Sequence, residues 1–205
     1  MLRLFRRPSR TKAPSSARPV RLLLEALEDR YCPSGPSETI TLNVAYNANR
    51  QVTFSGHVTA SQPSGLTVQI SGSASGTATT NANGDYSVTL TGNNLGQVSA
   101  ATTDGRSNTA TSTLTATTPT IQNLGYTKGF LNYYTFAGDV TGDVTAGMVI
   151  VFGGISALSG RTATVDANGH FSITVQVTDQ GPWTASAYAV DWWGLDSQTV
   201  YTIGS

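Results

Sequence analysis

A chain of 205 residues with twelve basic and twelve acidic side chains is neutral overall, but its charge is unevenly placed. Eight Arg and Lys residues stand with four acids in 1–38, whereas the rest carries Arg50, Arg106, Lys128 and Arg161 against eight aspartates, a net charge of −4; that excludes a nucleic-acid-binding body, because phosphate contacts need clustered cations. No apolar run approaches the roughly 20 residues that span a bilayer, and the single cysteine, Cys32, excludes a disulfide within anything built beyond residue 38.

Residues 1–38 read as a basic targeting tail. Val20, Leu23, Leu24, Leu27 and Tyr31 recur at helical spacing, which predicts a short helix over about 20–30 in an otherwise disordered segment, stopped by Pro33 and Gly35. Glu25 interrupts the only candidate apolar core of a secretory signal, so an ordinary signal peptide is not expected. The heptad Leu24, Glu25, Ala26, Leu27, Glu28, Asp29, Arg30, followed by Tyr31-Cys32-Pro33-Ser34, resembles the short LEALEDR or LEPR-type motif at the N terminus of many large surface proteins of planctomycete bacteria. The resemblance implies export and an extracellular or cell-surface location.

Beyond the tail the composition turns to Thr, Ser, Gly, Val and Ala, which suit a pleated sheet, while helix-forming Leu, Glu and Lys become scarce. Internal repetition gives the domain plan. Val52-Thr53-Phe54-Ser55-Gly56-His57-Val58 matches Tyr134-Thr135-Phe136-Ala137-Gly138-Asp139-Val140, 82 residues later, and 65–72 match 147–154 at the same offset. After a three-residue insertion, 81–90 match 166–175 at an offset of 85. Three matched blocks in one order predict two homologous domains, 39–117 and 118–205.

Within each copy apolar positions alternate with polar ones, as in Leu66, Val68, Ile70 and in Phe171, Ile173, Val175, which is the period of a strand with one buried face. Asn81-Ala82-Asn83-Gly84 and Asp166-Ala167-Asn168-Gly169 suit type I turns and are expected to close hairpins, with Tyr86 and Phe171 pointing inward just after them. The expected fold class is all-β, two tandem immunoglobulin-like β-sandwich domains of about seven strands each. Pro119 lacks an amide and so separates them. The run Asn-Ala-Asn-Gly-Asp-Tyr-Ser-Val-Thr-Leu, with Gly96 to Ala100 and the later Asp104-Gly105-Arg106-Ser107-Asn108, resembles the bacterial Ig-like repeats of surface adhesins and exoproteins. The second copy departs from that pattern at Asp191-Trp192-Trp193-Gly194-Leu195-Asp196-Ser197.

Chemistry-bearing residues are few. His57 and His170 are the only histidines, and neither comes with a nucleophile signature, so no catalytic or metal role is assigned to them. Asp139 and Asp143 stand at positions 1 and 5 of a calcium-loop pattern, but Val144 replaces its glycine and Ile150 its glutamate; a calcium ion bridging carboxylates at the domain junction is left open. The candidate binding residues are Trp192 and Trp193 with Asp191, Asp196 and Tyr188. Neighbouring residues of an extended segment point to opposite sides, so at least one indole is expected partly exposed, and Trp anchors partners or stacks on sugars. Alternatively one Trp caps the core while the other covers the domain end or packs on the neighbouring domain. The expected role is a non-enzymatic structural or adhesive module without cofactor, acting on a surface protein or glycan, with a small carbohydrate-binding protein as its rival.

Overall fold

The computed structural model describes residues 38–179 and 181–205, and Gly35–Ser205 forms one compact unit. The predicted helix over about 20–30, the motif at 24–30 and Cys32 lie outside the described residues. Among these, no α-helix occurs, and no helix is long and apolar enough to cross a membrane.

The chain folds into two β-sandwiches. The first contains β1 (Thr39–Ile40), β2 (Asn43–Tyr46), β3 (Gln51–Thr59), β4 (Thr67–Gly72), β5 (Gly76–Thr79), β6 (Asp85–Thr91), β7 (Gly96–Thr102) and β8 (Ala110–Leu114). In one sheet β1 and β2 pair in turn with β3, which also pairs with β6, and the other sheet has the order β5-β4-β7-β8. The second contains β9 (Thr120–Lys128), β10 (Tyr133–Thr141), β11 (Val149–Gly153), β12 (Thr162–Thr164), β13 (His170–Gln176), β14 (Trp183–Val190) and β15 (Val200–Gly204). Its sheets run β13-β10-β9 and β12-β11-β14-β15. All ladders are antiparallel. With β1 and β2 counted as one broken strand, the two sandwiches share one topology of the immunoglobulin-like kind.

Each sandwich has its own core. Val52, Phe54, Val58, Val68, Ile70, Tyr86, Val98 and Leu114 anchor the first; Phe136, Ile150, Phe152, Leu158, Phe171 and Trp183 anchor the second. All but Leu158, which enters from the turn between β11 and β12, are inward positions of the period-two pattern, and burial of each large side chain contributes about 1.5–3 kcal/mol. Tyr86 and Phe171 do point inward. Each sits opposite a glycine on the central strand, Gly56 and Gly138, and the missing Cβ makes the room. A Cβ on Gly56 would lie 2.0 Å from the Thr41 carbonyl oxygen and 2.8 Å from the Tyr86 hydroxyl, and one on Gly138 would lie 2.8 Å from Cζ of Phe171. Tyr86 donates its hydroxyl to the Thr41 carbonyl at 2.6 Å, and burial pushes its pKa up to about 12.

The two Asx-Gly turns form, but they close no hairpin. Asn81 and Asp166 stand between strands that belong to different sheets, β5 to β6 and β12 to β13, so each turn carries the chain across the sandwich. The carbonyls of Gly84 and Gly169 accept the amides of Val58 and Val140 on the central strands, each at 2.8 Å. A turn sequence specifies a reversal of direction; which strand the departing chain joins is decided by where its apolar face can be buried.

Candidate functional site

The loop carrying the tryptophans is a third copy of the same turn. The Oδ1 of Asp191 accepts the amides of Trp193 at 2.9 Å and Leu195 at 2.6 Å. Asn81 receives Asn83 and Asp85 in that way, and Asp166 receives Asn168 and His170. The fourth residue is Gly84, Gly169 or Gly194, with φ of 89°, 86° and 83°, a conformation that strains any residue bearing a Cβ. Asp191 is buried, and this oxygen is committed to holding the loop. The Asp-x-x-Gly spacing that signals this geometry is present in the sequence.

The tryptophans serve the junction between the sandwiches. Trp193 packs against the core of the first sandwich, where a Cβ on Gly92 would lie 2.4 Å from its Cη2. Trp192 stays on its own sandwich over Gly147, whose Cβ would lie 2.7 Å from Cζ2, and its indole N–H is buried without a hydrogen-bond partner. Both rings are half-buried. The connecting segment is held from both sides: the Thr115 amide donates to the Tyr46 hydroxyl at 2.8 Å, and Asp143 accepts the Thr117 amide at 2.7 Å and hydroxyl at 3.0 Å. Pro119 is fully buried. Asp191, Trp192 and Trp193 thus meet around a cleft shared with Tyr46 and Asp143. Its free volume of about 10 Å³ is at the lower limit for one water. Tyr188 and Asp196 lie elsewhere, Tyr188 on the outer face of β14 beside Val151 and Asp196 exposed after the turn.

The histidines, unassigned from sequence, occupy one equivalent place. His57 on β3 faces Asp85 on β6, with Nδ1 2.9 Å from the carboxylate; Asp139 on β10 faces His170 on β13, and those side chains are also hydrogen-bonded. Residue types are exchanged between strands, but the pair is kept. An asparagine holds the second carboxylate oxygen in both, Asn81 at 3.4 Å from Asp85 and Asn123 at 2.9 Å from Asp139. The carboxyl pKa of Asp85 is lowered chiefly by the His57 hydrogen bond and then by Asn81, that of Asp139 chiefly by Asn123 and then by His170. The signal is in the repeat alignment, which sets His57 over Asp139 and Asp85 over His170.

Around Asp139, His170, Asn123 and Asp166 lies an open depression of about 640 Å³. Its chemistry stops at an oriented imidazole: Thr135, on its wall, shares its hydroxyl hydrogen bond with Thr174 at 2.8 Å, and Asp166 holds the backbone turn. The described residues include no group of three or more His, Cys, Asp or Glu placed to hold a metal ion. Asp139 and Asp143, read together in the calcium pattern, have separate partners, His170 with Asn123 and Thr117 respectively.

No known protein family matches the sequence, and none of the curated proteins does. Among solved structures the chain is similar to the fibronectin(III)-like modules of CbhA from Clostridium thermocellum, at 17% identity and a TM-score of 0.32 over 81% of this chain and 92% of that one. It is similar to a two-domain fibronectin type-III segment of chicken tenascin, at 13% identity and a TM-score of 0.35 over 80% and 97%. The bacterial integrin-binding protein invasin matches at 18% identity and a TM-score of 0.36 over 80% of this chain and 38% of its own length.

Proposed function

We propose that the chain is a non-enzymatic structural and adhesive module of a secreted or cell-surface protein, with 1–38 as its targeting tail and 39–117 and 118–205 as its two domains. The observation that carries the reading is the junction. Trp193 leaves its own sandwich to cover the core of the other, while Tyr46 and Asp143 hold the connecting segment from opposite sides. Such a connection resists relative motion and suits a spacer that transmits position. Four of the eight aspartates of the body, Asp85, Asp139, Asp166 and Asp191, are spent on turns and cross-strand pairs, which supports a structural use for them.

The test is the location and the effect of the native protein. Protease treatment of intact cells, with fractionation and N-terminal sequencing, is expected to find it in the envelope or the medium, and cells lacking it are expected to adhere less to surfaces or to one another. Recovery from the cytosol with the tail intact would overturn the reading.

A further inference from the structure

The indole N–H of Trp192 is buried and meets no acceptor among the described residues, a condition that folded proteins rarely leave unrelieved. The ring lies on Gly147, so close that a Cβ there would be 2.7 Å from Cζ2, and this contact helps to fix where the N–H points. The cleft it lines is shared with Tyr46, Asn47, Thr117, Asp143 and Asp191. Both carboxylate oxygens of Asp143 are taken by Thr117, and Asn47 is exposed, with its side-chain amide donated to Thr53 at 3.0 Å. Two further groups on the wall are unused. The Tyr46 hydroxyl accepts the Thr115 amide, but its own proton has no acceptor among the described residues. Asp191 holds its turn with Oδ1 alone, which leaves Oδ2 unengaged.

We infer that the cleft is a binding site for one water molecule, which accepts protons from the Trp192 indole and the Tyr46 hydroxyl and donates one to Oδ2 of Asp191. The free volume of about 10 Å³ matches a single water, and a buried water needs about two to four polar partners. Two donors and one acceptor suit a molecule that both gives and receives hydrogen bonds. A metal cation is the wrong occupant, because the indole can only present its proton to it. The bridge joins the sandwiches, since Tyr46 ends β2 of the first while Asp191 and Trp192 follow β14 of the second. A contact through water is nearly as favourable in enthalpy as a direct one, so the junction gains a polar tie beside the apolar cover of Trp193. The inference stands apart from the surface reading: recovery from the cytosol would overturn that reading and leave this site untouched.

A crystal structure of the full chain at a resolution that shows ordered solvent is expected to place one water within hydrogen-bonding distance of Nε1 of Trp192, Oη of Tyr46 and Oδ2 of Asp191. In solution the Trp192 indole proton, identified by the resonance that Trp192→Phe removes, is expected to give a magnetic cross-peak to bound water. Tyr46→Phe takes away one partner of that water and is expected to speed exchange of the Trp192 indole proton with solvent roughly tenfold, the worth of one hydrogen bond. The indole proton of Trp183, inside the second core, should exchange as in the parent. A direct hydrogen bond from Nε1 to a protein oxygen overturns the proposal, as does a dry cleft or a metal ion in place of the water. An exchange rate at Trp192 that Tyr46→Phe leaves unchanged removes the bridge between the sandwiches and likewise overturns it.

Discussion

Trp183 and Gly204 face each other across the β14–β15 ladder, and at the same two places in the first sandwich Gly96 faces Leu114. The bulky side chain has changed strands, and the glycine has moved the other way. Trp183 packs there against Tyr126, Tyr134 and Phe136, with ring centroids 5.1, 5.5 and 5.6 Å away. A Cβ on Gly204 would lie 2.1 Å from its Cζ2. Gly204→Ala is therefore expected to destabilise the second sandwich by about 3 kcal/mol, the upper part of the overpacking range, as measured by urea unfolding. The double change Trp183→Gly, Gly204→Leu, which copies the first sandwich, should be less damaging than the sum of its parts.

The histidine–aspartate exchange predicts a pH dependence. Asp85 and Asp139, together with Asp166, whose carboxylate is stabilised chiefly by the His170 amide and then by that of Asn168, have folded pKa values below the ordinary 3.8. The stability each adds is whole above 3.8 and is lost as pH falls through the lower folded value. Melting temperature is expected to be level from about pH 7 to about pH 5 and to fall below about pH 4. Asp139→Asn should flatten that fall. Exchanging the pair in the first sandwich, His57→Asp with Asp85→His, should restore what either change alone removes.

Leu131 and Asn132 end the 3-10 turn Phe130–Asn132 in the loop between β9 and β10, with left-handed φ of 53° and 59°. Asn49 and Arg50 have the same left-handed backbone in the loop between β2 and β3, at 58° and 57°. Left-handed backbone costs a residue such as leucine about 1–2 kcal/mol, and asparagine tolerates it better. Leu131 is 65% exposed, so little packing offsets the strain. Leu131→Asn is expected to stabilise the second sandwich by about 0.5–1 kcal/mol, read from the shift of its urea midpoint. A loss would show that the side chain is held by contacts its exposure does not suggest.

Trp193→Ala is expected to act on the sandwich that does not contain it. The ring covers the first core and is not part of the second, so calorimetry should show the first unfolding transition lowered by about 2 kcal/mol, roughly half the cost of a fully buried Trp, with the second nearly unmoved. Equal losses in both would contradict the packing described.

The two-sandwich plan is legible in the sequence because three matched blocks and the alternation around Phe54 and Phe136 are local patterns that survive without knowledge of the partner strand. The destination of the chain after Asn81-Ala82-Asn83-Gly84 is not legible in that way, since a turn encodes a reversal and not a neighbour. His57 and Asp85 are 28 residues apart and become a pair only once β3 and β6 are in register. Trp192 and Trp193 can be recognised as residues needing cover. That Trp193 finds it on Gly92, across the junction, depends on how two separate cores abut, and no periodicity carries that information.

The cover that Trp193 provides also gives synthesis a direction. The first sandwich leaves the ribosome before the second, yet one side of its core stays open until the last long loop of the second has emerged and closed its turn on Asp191. The second core draws on no residue before Ile121 and needs no such help. The part made first is thus completed only when the second is nearly whole, and a nascent chain stalled between the two would present bare apolar surface to chaperones for as long as the stall persisted.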